Sequence, residues 1–127
     1  MEIINNGTIC SNKDFKIGEM TGVIKAIFPE ESVFINGTKE IVFDEHYENY
    51  LECGLRKMIQ ILSRRGHVFS GEIAYYGDYD GYYIVKNNNV TAYDTDDAWK
   101  HFASDDVIIE VLESRGYTVV KEEVLAS

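Results

Sequence analysis

Several features that define common protein classes are scarce in this sequence. It contains two cysteines, too few for a disulfide scaffold, and one proline in 127 residues. No apolar run approaches the length of a membrane span. Residues 1–6 carry an acid and no basic region, which is unlike a secretory signal. We therefore expect no membrane partner and a cytoplasmic location, and we expect Cys10 and Cys53 to be buried apolar residues.

Positive charge is scarce as well. Twelve lysines and arginines stand against 22 acids, which gives a formal net charge of −10. Direct nucleic-acid binding needs clustered basic side chains, so this composition argues against it. Two partners remain compatible with the charge. One is a basic protein surface, and the other is a small ligand held by a few local cations.

Motifs for catalysis and metal binding are lacking too. His46, His67 and His101 are scattered, and neither cysteine has a second one at ligand spacing. The segment 78–81 resembles part of a calcium loop, but its glycine follows the first acid too closely. A pairing of Cys53 with His46 is conceivable, although packing of Cys53 explains it better. We predict no catalytic residue, no metal and no cofactor.

Hydrophobic periodicity predicts a single α+β domain over residues 1–127. We expect an antiparallel sheet built of hairpins, packed on one long amphipathic helix and two short C-terminal helices. The expected strands cover 3–4, 8–10, 21–28, 33–35, 40–43, 68–69, 72–76, 82–85, 90–93 and 117–120. The Asn36-Gly37 dipeptide indicates a hairpin turn. The C-terminal helices are expected over 96–102 and from Ser104 to Gly116.

The long helix is expected to begin at an Asp44 N-cap and to end at Gly66. Its predicted apolar face is Tyr47, Tyr50, Leu51, Leu55, Met58, Ile59 and Leu62. Gly54 lies on that face. It either lets a neighbouring element approach closely or merely weakens the helix. The same face could serve a two-fold interface, so we expect a homodimer or a higher homo-oligomer.

Tyrosines are the most unusual feature of the composition. Six of the nine crowd one hairpin region, at Tyr75, Tyr76, Tyr79, Tyr82, Tyr83 and Tyr93. Neighbouring residues in a strand point to opposite faces, so each Tyr-Tyr pair should place one ring on the core and one outside. The outer rings form either ordinary cross-strand pairs or a binding platform.

The run from Gly66 to Gly81, which follows the long helix in a short acidic chain rich in Asn, Tyr and Ile, resembles phage-encoded proteins. In length and layout the chain is similar to the Thoeris anti-defence sponge proteins. This resemblance implies a non-catalytic protein of the host-cell cytoplasm that sequesters a cyclic ADP-ribose-type signalling nucleotide as a symmetric oligomer.

Such a ligand requires three kinds of contact. An aromatic ring would stack on adenine, arginines would neutralise the diphosphate, and polar side chains would bind the ribose hydroxyls. The candidates are Tyr76, Tyr82 and Trp99 for stacking, Arg56, Arg64 and Arg115 for the diphosphate, and Asn88, Asn89 and Asp80 for the ribose.

The alternative is an acidic protein-binding inhibitor of the anti-CRISPR, anti-restriction or toxin-immunity type. The stretch from Asp94 to Glu113 holds seven acids against Lys100 alone. Such a surface would occupy a basic groove through electrostatic complementarity.

Overall fold

The computed structural model describes residues 2–94, and its framework is a six-stranded antiparallel sheet with the strand order β2-β3-β1-β4-β5-β6. The strands are β1 (Ile3–Ser11), β2 (Val33–Asn36), β3 (Glu40–Tyr47), β4 (Phe69–Gly77), β5 (Gly81–Lys86) and β6 (Asn89–Asp94). The helical elements are a π-helical segment (Glu19–Ile24), the single turn α1 (Lys25–Ile27) and the longer α2 (Leu51–Ser63). The α+β class and the antiparallel sheet are confirmed. The C-terminal helices and the strand 117–120 lie outside the described residues.

β1 is one continuous strand at the middle of the sheet, so the hairpin expected between residues 3–4 and 8–10 is wrong. It pairs with β3 on one side and β4 on the other. Its register with β3 shifts between Asn5 and Gly7. A Cβ at Gly7 would lie 2.3 Å from the carbonyl oxygen of Glu72 on β4. The Asn-Asn-Gly sequence therefore forms an irregularity that permits close strand approach, not a turn.

Residues 21–28 are mostly helical, so the strand predicted there is also wrong. The run is rich in β-branched residues, but its two fully buried positions, Ile24 and Phe28, are four residues apart, and the partly buried Met20 packs against the core four residues before Ile24. Burial at helical spacing overrides the local β preference.

The hairpin of β2 and β3 is confirmed, with Gly37 in a left-handed conformation at φ +69°. β3 continues to Tyr47, however, so the prediction that Asp44 is the N-cap of the long helix is wrong. The backbone N–H of Asp44 instead donates to the carbonyl of Ser32 at 2.8 Å. α2 begins after Tyr50, which has a left-handed φ of 61°, and Gly66 follows its end at φ +90°.

The buried face of α2 is largely the predicted one: Leu51, Leu55, Met58, Ile59 and Leu62 are buried. Tyr47 and Tyr50 are exposed and precede the helix. Cys10 and Cys53 are exposed too, so the expectation that both are buried is wrong. The core lies between α2, the π-helical segment and one face of the sheet.

The meander of β4, β5 and β6 is confirmed, although 68–69 and 72–76 form one strand rather than two. The two Tyr-Tyr pairs alternate as expected: Tyr83 is buried on the core face, while Tyr76 is exposed. None of the helices within residues 2–94 combines the length and apolar character needed to span a bilayer.

Candidate functional site

Four tyrosines line a cavity of about 270 Å³ beside the start of α2. They are Tyr50, Tyr75, Tyr79 and Tyr83, and the remaining lining residues are Ile3, Asn49, Glu52 and Ala92. We call this cavity the tyrosine pocket. Three of its rings come from the region of high tyrosine content, whereas Tyr50 joins them through the fold.

The strands and the helix start position these rings. Tyr75 on β4 and Tyr83 on β5 have ring centroids 4.7 Å apart. Gly81 pairs with Tyr75, and a Cβ there would lie 2.3 Å from the Tyr75 hydroxyl, so this glycine makes room for the ring. Tyr79 lies in the turn between β4 and β5 and is 65% exposed. The pocket therefore has a fixed inner wall and an accessible rim.

Carboxylates give the tyrosine pocket a negative character. The pKa of Tyr83 is raised by burial and by the charge of Glu52, with which its hydroxyl forms a hydrogen bond. Burial also raises the pKa of Tyr75, and the charges of Asp94, Glu52 and Asp80 add to the effect. Both phenols therefore stay neutral near pH 7. Neutral aromatic faces beside carboxylates suit a cationic group.

A second opening, of about 500 Å³, is lined by Lys16, Gly18, Glu19 and Arg65. Its rim carries two cations. Its floor includes Glu19, which is only 3% exposed. Burial would raise the pKa of Glu19, but hydrogen bonds from the Lys16 backbone N–H and from His67 outweigh it and lower the pKa. We call this opening the Lys16–Arg65 pocket.

Glu19 belongs to a buried Ser-His-Glu relay. His67 Nδ1 lies 2.7 Å from Ser11 Oγ, and its Nε2 lies 2.8 Å from Glu19 Oε2. All three residues are buried, so a substrate has no access to the serine. The relay ties the end of β1 and the segment before β4 to the π-helical segment, which is a structural role.

A second relay has the same pattern at a more open place. His46 Nδ1 lies 2.8 Å from Ser32 Oγ, and its Nε2 lies 2.8 Å from Glu48 Oε1. His46 is 1% exposed, and the Glu48 side chain is 30% exposed. Sequence reasoning missed both relays, because their members come from separate elements and no short motif joins them.

Tyr76 and Tyr82 lie on the face of the sheet opposite the core. Asn6 Nδ2 donates to the Tyr76 hydroxyl at 2.8 Å, and Tyr82 pairs with Tyr93 across β5 and β6. Because Tyr82 opposes Ala74, which is two residues before Tyr76, the two candidate rings are diagonal neighbours. The structure brings these two together, but away from the tyrosine pocket.

The other predicted ligand residues are dispersed. Asn88 Oδ1 accepts from the Phe69 N–H at 2.6 Å, and its Nδ2 donates to the His67 carbonyl at 3.0 Å, so its side chain joins two segments. Arg56 donates to the Val90 carbonyl at 3.1 Å. Arg64 is the C-cap residue of α2, and Asn89 is exposed at the start of β6. Trp99, Arg115 and all of the acidic stretch except Asp94 lie outside the described residues.

No protein-family model, curated protein or solved structure matches this chain.

Proposed function

We propose that this protein is a non-catalytic binding protein that blocks a basic surface of another protein, and that its tyrosine pocket takes a lysine or arginine side chain of that partner. The observation that carries the proposal is the grouping of four tyrosines around Glu52, with Asp80 and Asp94 close enough to act on Tyr75.

The interaction would combine two effects. A cation over an aromatic face is stabilised by about 0.5–1 kcal/mol when exposed and about 2 kcal/mol when desolvated. The Glu52 carboxylate adds an opposite charge, and its hydrogen bond with Tyr83 fixes its position. Arginine and tyrosine are both common anchors of protein interfaces.

Size and long-range charge support the same partner. The pocket volume of about 270 Å³ suits one side chain better than a dinucleotide-sized ligand. The net charge of −10 would steer a basic surface toward the protein before the side chain inserts.

The nucleotide-sequestering hypothesis and the homo-oligomer stay predictions. The nucleotide hypothesis is supported by the Lys16–Arg65 pocket and not by the tyrosine pocket. A diphosphate in the tyrosine pocket would face Glu52, and neither Arg56 nor Arg64 lines that pocket. Within residues 2–94, the Lys16–Arg65 pocket offers two cations at one opening, against the single carboxylate of Glu19. A cyclic ADP-ribose-type ligand would place its phosphates there.

The proposal is tested by titrating the protein with short Gly/Ser-rich peptides that carry one central arginine, using citrulline peptides as neutral controls. We expect the arginine peptide to bind more tightly. Tyr79→Ser and Glu52→Gln should each weaken that binding about tenfold, which corresponds to losing one cation contact of about 1.4 kcal/mol. Tyr76→Ser, on the opposite face, is the matched control and should bind normally. Equal affinity for both peptides would overturn the proposal.

A parallel titration with cyclic ADP-ribose separates the two functions. Binding that is lost in Lys16→Gln and Arg65→Gln but retained in Glu52→Gln would favour the nucleotide-sequestering function. Mass spectrometry of the recovered ligand tests the absence of catalysis, because a hydrolysed product would contradict it.

A further inference from the structure

Glu30, His46 and Glu48 bring one imidazole nitrogen and two carboxylate oxygens together, with the three atoms within 4.8 Å of one another. Glu30 lies in the loop before β2, His46 is near the end of β3, and Glu48 follows that strand. The buried imidazole distinguishes this group from an exposed cluster of acids. Nitrogen and carboxylate oxygen together are the donors that first-row transition ions accept.

The imidazole is already oriented for a ligand on its Nε2 side. Its Nδ1 is hydrogen-bonded to Ser32 Oγ, and a metal-binding histidine normally uses its other ring nitrogen in this way. Nε2 lies 2.8 Å from Glu48 Oε1, so without an ion a proton lies between these two atoms. A bound ion would displace that proton, and the Nδ1–H would then donate to the serine oxygen.

The backbone that carries two of the donors is also fixed. The buried side chain of Asn5 donates to the carbonyl oxygen of His46 at 2.9 Å and to that of Glu48 at 3.0 Å. These bonds hold both residues against β1. Little ordering would therefore be required of His46 and Glu48 when an ion binds.

The buried Ser11–His67–Glu19 relay is an internal comparison. It has the same hydrogen-bonding pattern, but within residues 2–94 one carboxylate, that of Glu19, is bonded to its imidazole, and the Glu19 side chain is 4% exposed. At the second relay, the Glu48 side chain is 30% exposed and Glu30 is exposed. The second relay therefore has an additional carboxylate, from Glu30, and its carboxylates are more exposed to an ion and its water ligands than that of Glu19.

We propose that Glu30, His46 and Glu48 form a binding site for a divalent first-row transition ion, with Zn²⁺ as the best-suited species. Two carboxylates balance the charge of the ion, and water would complete a tetrahedral arrangement. Mg²⁺ and Ca²⁺ prefer all-oxygen sites and should bind more weakly. The ammonium group of Lys25 donates to the Glu30 carbonyl oxygen at 3.1 Å and therefore lies near the site. Its positive charge lowers the affinity for a divalent cation. This site departs from the sequence prediction of no metal.

The test is a calorimetric titration of the full chain with Zn²⁺ at pH 7, followed by the same titration with Mg²⁺. We expect one Zn²⁺ site and at least tenfold weaker binding of Mg²⁺. Glu30→Gln should weaken Zn²⁺ binding at least tenfold. Ser32→Ala should weaken it about 10- to 100-fold, because the imidazole loses its orienting partner. Glu31→Gln is the matched control, since Glu31 is the exposed neighbour of Glu30 and is not one of the three donors.

Three outcomes would overturn the metal site: no Zn²⁺ binding by the wild-type chain, equal Zn²⁺ affinity in Glu30→Gln and Glu31→Gln, or equal affinity for Mg²⁺ and Zn²⁺. Glu30 is exposed, so its replacement should leave the fold intact, and circular dichroism checks this. The arginine-peptide titration uses Glu52 and Tyr79 instead, so the two proposals can fail separately.

Discussion

The packing of Gly54 against Phe28 leads to a prediction with a defined sign. A Cβ at Gly54 would lie 2.9 Å from two ring carbons of Phe28, whereas ordinary contacts begin near 3.4 Å. Phe28 is fully buried, and its ring makes an edge contact with Phe43 at a centroid distance of 5.2 Å. The ring cannot retreat without disturbing that contact. We therefore expect Gly54→Ala to destabilise the protein, although alanine is the better helix former.

The magnitude follows from two opposing effects. Replacing a helical glycine with alanine stabilises by about 1 kcal/mol, and overpacking a close-packed core costs about 1–3 kcal/mol. Because the clash involves two atoms of a fully buried ring, we expect the upper half of that cost, and hence a net loss of about 1–2 kcal/mol.

Urea unfolding measures this difference, and Gly22→Ala is the control. Gly22 is an exposed helical residue, and a Cβ there would meet no atom within 4 Å. Gly22→Ala should therefore stabilise the protein by about 0.5–1 kcal/mol. If Gly54→Ala stabilised the protein as much as Gly22→Ala, close approach of Phe28 would be refuted and Gly54 would only weaken its helix.

Two further predictions concern buried polar groups. The pKa of Glu19 is lowered below its ordinary value of 4.5, so its contribution to stability is present above about pH 4.5 and is lost as the pH falls through the lower, folded-state value. Urea midpoints should fall more steeply below that pH in the wild type than in Glu19→Gln, and parallel curves would contradict this. Asn88→Ala should cost about 1–3 kcal/mol, since the Phe69 N–H and the His67 carbonyl both lose their side-chain partner. An unchanged unfolding midpoint would show that water replaces both bonds.

Local patterns predicted those parts of the fold that depend on neighbouring residues. The Asn36-Gly37 turn, the meander of β4 to β6 and the buried stripe of α2 each follow from a short-range signal. In these segments, turn chemistry and hydrophobic period agree with the tertiary environment. Strand alternation predicted one inner and one outer ring in each Tyr-Tyr pair, and the structure then shows that Tyr83 is inside and Tyr76 outside.

The errors occurred where distant partners decide the conformation. The segment 21–28 is rich in β-branched residues, yet burial of Ile24 and Phe28 on one side makes most of it helical. Residues 5–7 look like a turn, but pairing with strands on both sides keeps the chain extended. Asp44 has the chemistry of an N-cap, but its N–H is bonded to Ser32 across the β2–β3 hairpin. Patterns of neighbouring residues cannot reveal these contacts between distant parts of the chain.

For the candidate sites as well, the sequence indicated the region of high tyrosine content but not the residues that the fold brings together from distant segments. Tyrosine content pointed to the region around β4 and β5, and the tyrosine pocket combines Tyr75, Tyr79 and Tyr83 of that region with Tyr50 and Glu52 near the start of α2. The predicted rings Tyr76 and Tyr82 do not line this pocket and stay a prediction. The two relays were inaccessible to motif reasoning, because Ser11 and His67 are 56 residues apart and Ser32 and His46 are 14 apart. Only the sheet and its loops bring these groups together.

One short segment links the proposed ion site to the tyrosine pocket. Residues 46–52 contain two residues of the proposed ion site, His46 and Glu48. They also contain three residues of the tyrosine pocket, Asn49, Tyr50 and Glu52. The left-handed φ of 61° at Tyr50 turns the chain between them, and such a conformation is unfavourable for a tyrosine. The bonds from Asn5 hold the carbonyls of His46 and Glu48, so the chain enters this turn from a fixed direction. An ion at Glu48 would stiffen the same segment further. Two binding proposals that began from separate clusters therefore depend on one backbone conformation, which the central strand supports.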